Sequence, residues 1–152
     1  MKQFEFRLQK VMETTRTREE LQKRELAKAL GVLHSNEQLL DEMFGRLEEQ
    51  IGEYTSRRNG GSMKASEMLA YSRYSEKLAA DIRRQQLAIE KLAQLVIEHR
   101  DKLIDISKDK KVLERLKEKK YEEFRKKLRS MEQKFMDEVS VRNYQNGRSE
   151  GQ

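Results

Sequence analysis

From Leu26 onward apolar side chains recur at alternating steps of four and three: Leu26, Leu30, Leu33, Leu40, Phe44, Leu47, Ile51 and Tyr54, with Glu37 where the next apolar residue is due. Such spacing lines one helix face with apolar residues twice per heptad, which is the seam of a coiled coil. The seam continues upstream in weaker form through Leu8, Met12, Thr15, Glu19 and Gln22 or Lys23. It predicts a first helix from about residue 4 to about residue 57, with ends good to a few residues.

A second seam opens at Met68 and keeps its heptads for more than six repeats. One set of positions is Met68, Ser75, Ile82, Ile89, Val96, Leu103 and Lys110; the other is Tyr71, Leu78, Gln85, Leu92, His99, Ile106 and Leu113. Beyond Leu113 the apolar set becomes Tyr121, Phe124, Leu128, Met131, Phe135 and Val139, out of phase with what precedes it. A slip of this kind is a stutter, which locally unwinds a supercoil. The second helix is predicted over about residues 63–143, followed by a polar, Gly-containing tail, 144–152, expected to be disordered.

Between the seams stands Ser56-Arg57-Arg58-Asn59-Gly60-Gly61-Ser62, the one place where Asn and paired Gly cluster. Asn-Gly-Gly supplies the positive φ values that stop a helix and turn the chain, and Ser62 is suited to cap the next helix. A tip at about 58–62 joining two long seams makes the helices antiparallel neighbours. The expected fold is therefore all-α: two long helices in an antiparallel coiled-coil hairpin, one domain over 1–143. If Tyr54 faces Met68, the layers pair Ile51 with Tyr71, Phe44 with Leu78, Leu40 with Ile82, Leu33 with Ile89, Leu30 with Leu92 and Leu26 with Val96. Glu37 then meets Gln85, so the two polar interruptions share a layer that fixes register. In this register residues 119–143 overhang the first helix by roughly 37 Å. The overhang carries an apolar stripe that calls for a partner.

Composition supports an extended helical chain. Of 152 residues only 36% are hydrophobic while 39% are charged, too little apolar material for a compact globule of this size. There is no Pro to break a helix and no Cys for disulfide or thiolate chemistry. Phe4, Phe6 and Leu8 alternate with Glu5, Arg7 and Lys10, so neither a secretory signal nor a membrane-spanning helix is expected, and a cytoplasmic address is the default.

The charge is concentrated. Residues 108–129 hold eleven Lys or Arg against five acids, while the remaining residues are balanced at 22 of each, so the formal charge of +6 sits in one segment. Helical pairs such as Glu122 with Lys126 explain part of it as a solvated face. Lys110, Lys117 and Lys120 occupy or flank the seam, where a coiled coil wants Leu or Ile, and that favours docking to a partner. A protein surface of acidic and apolar character uses both properties of the segment; a membrane surface or nucleic acid uses mainly the charge. His99, expected opposite Lys23, has no second ligand at metal-binding spacing, and no phosphate loop or catalytic constellation is visible. No enzymatic activity and no cofactor are expected. Tyr54, Tyr71 and Tyr74 gather near the tip, the first two on the seam.

Four stretches together resemble the FliJ family of flagellar type III export proteins: FEFRLQKVMETTRTREE at 4–20, AYSRYSEKLAADIRRQ at 70–85, KVLERLKEKKYEEF at 111–124 and EQKFMDEV at 132–139. Their order and spacing carry the match. The resemblance implies a two-stranded antiparallel coiled coil like the central stalk of rotary ATPases. It also implies a non-enzymatic component that binds the hexameric export ATPase, promotes its ring assembly, reaches the membrane export gate and binds export chaperones. A monomer is expected, located in the cytoplasm and peripherally on the cytoplasmic face of the membrane at the flagellar base. Carried over, Lys111, Arg115, Lys117, Lys119, Lys120, Tyr121 and Phe124 face the ATPase, and Tyr54, Tyr71, Tyr74 and Leu78 face the gate. A basic coiled coil binding nucleic acid or a membrane surface, and a self-associating scaffold, are the alternatives.

Overall fold

In the computed structural model, which describes residues 3–149, the chain forms two α-helices, α1 over Gln9–Asn59 and α2 over Ala65–Ser149. No strand occurs among the described residues. The fold is all-α, with the two long helices packed against each other. The chain divides into two compact units, one of Glu19–Asp105 and the other of residues up to Arg18 together with those from Ile106 onward.

The unit Glu19–Asp105 is a hairpin closed by the tip. Its α1 face is lined by Gln22, Leu26, Ala29, Leu33, Asn36, Leu40, Met43, Leu47, Gln50 and Tyr54, all buried or half-buried. This corrects the expected seam at every second position. Leu30, Phe44 and Ile51 are exposed, Ile51 at 54%, and Ala29, Met43 and Gln50 take their places. Both sets share Leu26, Leu33, Leu40, Leu47 and Tyr54 and both step by three and four, so hydrophobicity alone chooses the larger side chains. Hydrogen bonds identify the other set. Gln22 Nε2 meets His99 Nδ1 at 3.0 Å and donates to its carbonyl at 3.0 Å. Gln85 Nε2 donates to Asn36 Oδ1 at 2.9 Å and to its carbonyl at 3.0 Å. Gln50 Nε2 donates to the Tyr71 carbonyl at 3.2 Å, and Gln50 Oε1 accepts from the Ser75 hydroxyl at 3.2 Å.

These three polar layers recur every two heptads on both helices. Gln85 therefore meets Asn36 where Glu37 was expected, and His99 meets Gln22 where Lys23 was expected. The polar layer in the sequence pattern is real, but its α1 member lies one residue earlier. Here the Gln85 amide is the donor, and Asn36 supplies both acceptors, its side-chain oxygen and its backbone carbonyl. Ile82 and Val96 are buried between these layers, and Leu78 is 7% exposed.

At the tip, the amides of Gly60 and Gly61 donate to the carbonyls of Ser56 and Arg58 at 3.1 and 3.2 Å, and Gly61 adopts φ of 69°. That left-handed conformation suits Gly because it has no Cβ. The cap of α2 falls at Lys64 rather than Ser62. Glu67 reaches back to accept from the Lys64 amide at 3.3 Å, half of a capping box, and Arg57 Nη2 pairs with the same carboxylate at 3.2 Å.

In the other unit residues 3–8 are not helical, and α1 begins at Gln9 rather than near residue 4. Met12 is the most deeply buried side chain, 1% exposed, with Phe6 and Thr15 also buried. The Thr15 hydroxyl is satisfied within its own helix, donating to the Val11 carbonyl at 2.8 Å. Phe4 lies against Tyr121 and Phe124, with ring centroids 5.2 and 5.7 Å apart. A residue outside a helix advances up to about 3.3 Å against 1.5 Å within one, so residues 3–8 reach further along α2 than a helix of equal length. The expectation that residue 119 onward lacks any partner in the chain is corrected for these two aromatics. Farther on, Met131 and Phe135 are each 64% exposed. On the α2 face, covered positions step eleven residues from Leu113 to Phe124, the interval of a stutter. Helix α2 continues to Ser149 through much of the tail expected to be disordered; residues 150–152 lie outside the described residues.

Candidate partner-docking surfaces

The basic face belongs to α2 in the unit made of residues up to Arg18 and from Ile106 onward. Helical periodicity distributes its cations between solvent and the α1 side, and their partners differ accordingly. Lys111, Arg115 and Lys119 are exposed and form no ion pair among the described residues. Lys117 is half-buried, and its Nζ donates to Gln9 Oε1 at 3.0 Å. A seam lysine is thus accommodated by a seam glutamine, which leaves it less able to serve an outside partner than the pattern suggested. Lys120 is exposed and pairs with Glu123 at 2.9 Å. That hydrogen bond and charge, with Lys119 and Lys127 nearby, hold the Glu123 carboxyl below the usual carboxylate range.

Tyr121 and Phe124 interrupt the charge with apolar area. Tyr121 is part-exposed beside Phe4, and the Arg125 guanidinium stands over its ring at 6.0 Å from the centroid. Phe124 is half-buried. The arrangement joins a cationic exposed face to an aromatic edge, suited to a surface that is acidic and apolar. Phe4 and Gln9 complete this surface through their contacts with Tyr121, Phe124 and Lys117. Both lie within the stretch that resembles the family opening, but nothing in the periodicity shows that Phe4 would leave the helix.

The second candidate surface lies at the tip of the hairpin unit. Tyr54 and Tyr71 meet edge-on, centroids 5.5 Å apart at 62°. Arg57 binds Tyr71 and Glu67, and both interactions raise the guanidinium above its ordinary value. Tyr74 is 47% exposed and borders an open recess of about 400 Å³ whose walls include Arg46, Glu49 and Glu53. Leu78 is separated from this surface by burial. It packs in the seam and is not presented to a partner, so of the four candidate residues Tyr74 has the most accessible ring.

Among the described residues no group of three or more His, Cys, Asp or Glu could hold a metal ion. No helix of the described residues is long and apolar enough to cross a membrane. A sequence model of the family described as "Flagellar FliJ protein" matches residues 4–149. No curated protein and no solved structure matches the chain.

Proposed function

The chain belongs to the FliJ family of flagellar proteins, and from that premise we propose that it is a stalk and adaptor of flagellar protein export which docks on the hexameric export ATPase. Membership of this flagellar family supports an export-related, non-enzymatic role. The observation that supports the ATPase contact is the exposed trio Lys111, Arg115 and Lys119, which forms no ion pair among the described residues, beside the aromatic edge of Tyr121 and Phe124. Exposed cations hold a partner through many weak contacts, each contributing up to about 1 kcal/mol. Such a surface meets an acidic ring without locking to one subunit.

In this reading Lys120 contributes its charge through the pair with Glu123, and Lys117 mainly positions α1 against α2. Docking promotes ring assembly. Tyr74, backed by Tyr54 and Tyr71, contacts the membrane export gate, and export chaperones bind the same protein. The protein then works at the cytoplasmic face of the membrane at the flagellar base, held there by its partners. The experiment is to measure oligomerisation and hydrolysis by the flagellar export ATPase with and without the chain. Stimulated assembly supports the reading; no change in either quantity, with no complex in sedimentation, rejects it.

A further inference from the structure

Among the described residues, 3–8 form a non-helical segment laid against α2, and its Phe4 packs on the two aromatics of the candidate ATPase surface, half-burying Phe124 and leaving Tyr121 46% exposed. Resting on the docking role given above, we propose that this segment is a displaceable strap which competes with the partner for Tyr121 and Phe124. Three observations carry it. First, the strap is fastened by side chains: Phe4 stands on Tyr121 and Phe124, and Phe6 is buried. Its backbone bonds outside the helices, among the described residues, are those from Gln9 to the Phe6 carbonyl at 3.0 Å and from Met12 to the Leu8 carbonyl at 3.0 Å. Both lie at the junction with α1, so Gln3, Phe4 and Glu5 can lift without breaking a ladder.

Second, the strap does not seal its bed. An open groove of about 770 Å³ runs between it and α2, with Phe4, Phe6, Leu116 and Phe124 as apolar walls and Arg7, Lys120 and Lys127 against Glu5 and Glu123 at its edges, a surplus of one positive charge. An acidic and apolar segment of the partner finds a foothold there before the strap leaves. Third, the strap ends where the docking surface is aromatic and leaves Lys111, Arg115 and Lys119 exposed. Charge therefore attracts the partner at all times, Tyr121 at 46% exposure offers part of its ring beforehand, and the face of Phe124 against Phe4 becomes available only on displacement. Affinity is reduced by the fraction of chains with the strap open, so a strap closed in about nine of ten molecules weakens apparent binding about tenfold.

The test uses the full chain and the flagellar export ATPase. Phe4→Ala removes the anchor while both helices remain, checked by an unchanged helical signal. The variant is expected to bind the ATPase about tenfold more tightly than the wild type. Because the chain has no Trp, Phe4→Trp places a lone indole in the strap. That indole is expected to be shielded from acrylamide in the free chain and to become quenchable when the ATPase is added. Equal affinity of wild type and Phe4→Ala overturns the competition, as does an indole that stays shielded in the complex. An indole freely quenched in the chain alone overturns the closed strap. If neither chain binds the ATPase while the free indole is shielded, the docking role fails and displacement by that partner fails with it, whereas the strap itself stands.

Discussion

Gln85 holds Asn36 twice, its Nε2 donating to the side-chain oxygen at 2.9 Å and to the backbone carbonyl at 3.0 Å. A single amide thus fixes both the rotamer of its neighbour and the height of one helix against the other. Coiled-coil seams use buried polar pairs in this way to select one register at some cost in stability. Gln22 with His99 and Gln50 with Tyr71 repeat the device at two-heptad intervals.

Replacing one member should therefore be worse than replacing both. Asn36→Leu leaves Gln85 without its side-chain acceptor and is expected to lower stability by about 1 kcal/mol, toward the weak end because the pair is half-buried. The double variant Asn36→Leu with Gln85→Leu is expected to recover that loss or exceed wild type. Urea unfolding of the four proteins in a double-mutant cycle reads the coupling directly. Additive losses would show that the pair sets nothing.

Much of the hairpin was legible because Leu26, Leu33, Leu40, Ile82 and Val96 repeat strictly, and a paired Gly sits where the chain must turn. The partner set on α1 was not, since Leu30, Phe44 and Ile51 obey the same steps as Ala29, Met43 and Gln50 and are more hydrophobic. Hydrogen bonding decides between them, and it depends on which facing carbonyls an amide reaches. The candidate site was legible as charge and as aromatic residues. Its covering by Phe4 was not, because residues 4–8 alternate polar and apolar in a way that fits a strap or a fraying helix equally.

Tyr74 and Leu78 were grouped by sequence and are separated by burial, which gives opposite phenotypes. Leu78→Ala is expected to cost about 2–5 kcal/mol of stability through a cavity in the seam. Tyr74→Ala is expected to stay within about 0.5 kcal/mol of wild type and to weaken capture of the membrane export gate. Thermal unfolding paired with a gate pull-down separates the two; a Tyr74→Ala chain that still captures the gate fully removes this ring from the proposed contact.

The tip offers a contrast between adjacent residues. Gly61→Ala forces a Cβ into a left-handed conformation, φ of 69°, and is expected to destabilise by about 1 kcal/mol. At Gly60 the nearest atoms lie 3.5 Å or more from a Cβ, an ordinary contact. Gly60→Ala is therefore expected to be close to neutral, as chemical denaturation of the pair would record.

Glu123 carries a pH signature. Its carboxyl is lowered in the folded chain by the hydrogen bond and charge of Lys120. Its contribution to stability is accordingly in place above the ordinary carboxylate range and is lost as the pH falls through the lowered midpoint. Carbon-detected NMR should find Glu123 titrating below an unpaired glutamate, and Lys120→Gln should move that midpoint upward. An unmoved midpoint would mean the pair does not persist in solution.

The docking role is tested most directly by titrating the flagellar export ATPase with wild-type chain and with the K111E/R115E/K119E variant, reading complex formation and hydrolysis at physiological salt. Among the described residues these side chains are exposed and form no ion pair, so the variant should stay folded, with only a small loss of stability from carboxylates at 111, 115 and 119 beside Glu123 at four-residue spacing. Its binding should weaken roughly ten- to hundredfold, from up to about 1 kcal/mol per lost charge contact, and its stimulation should fall in step. Equal binding by the two chains, or none by the wild type, would contradict the account.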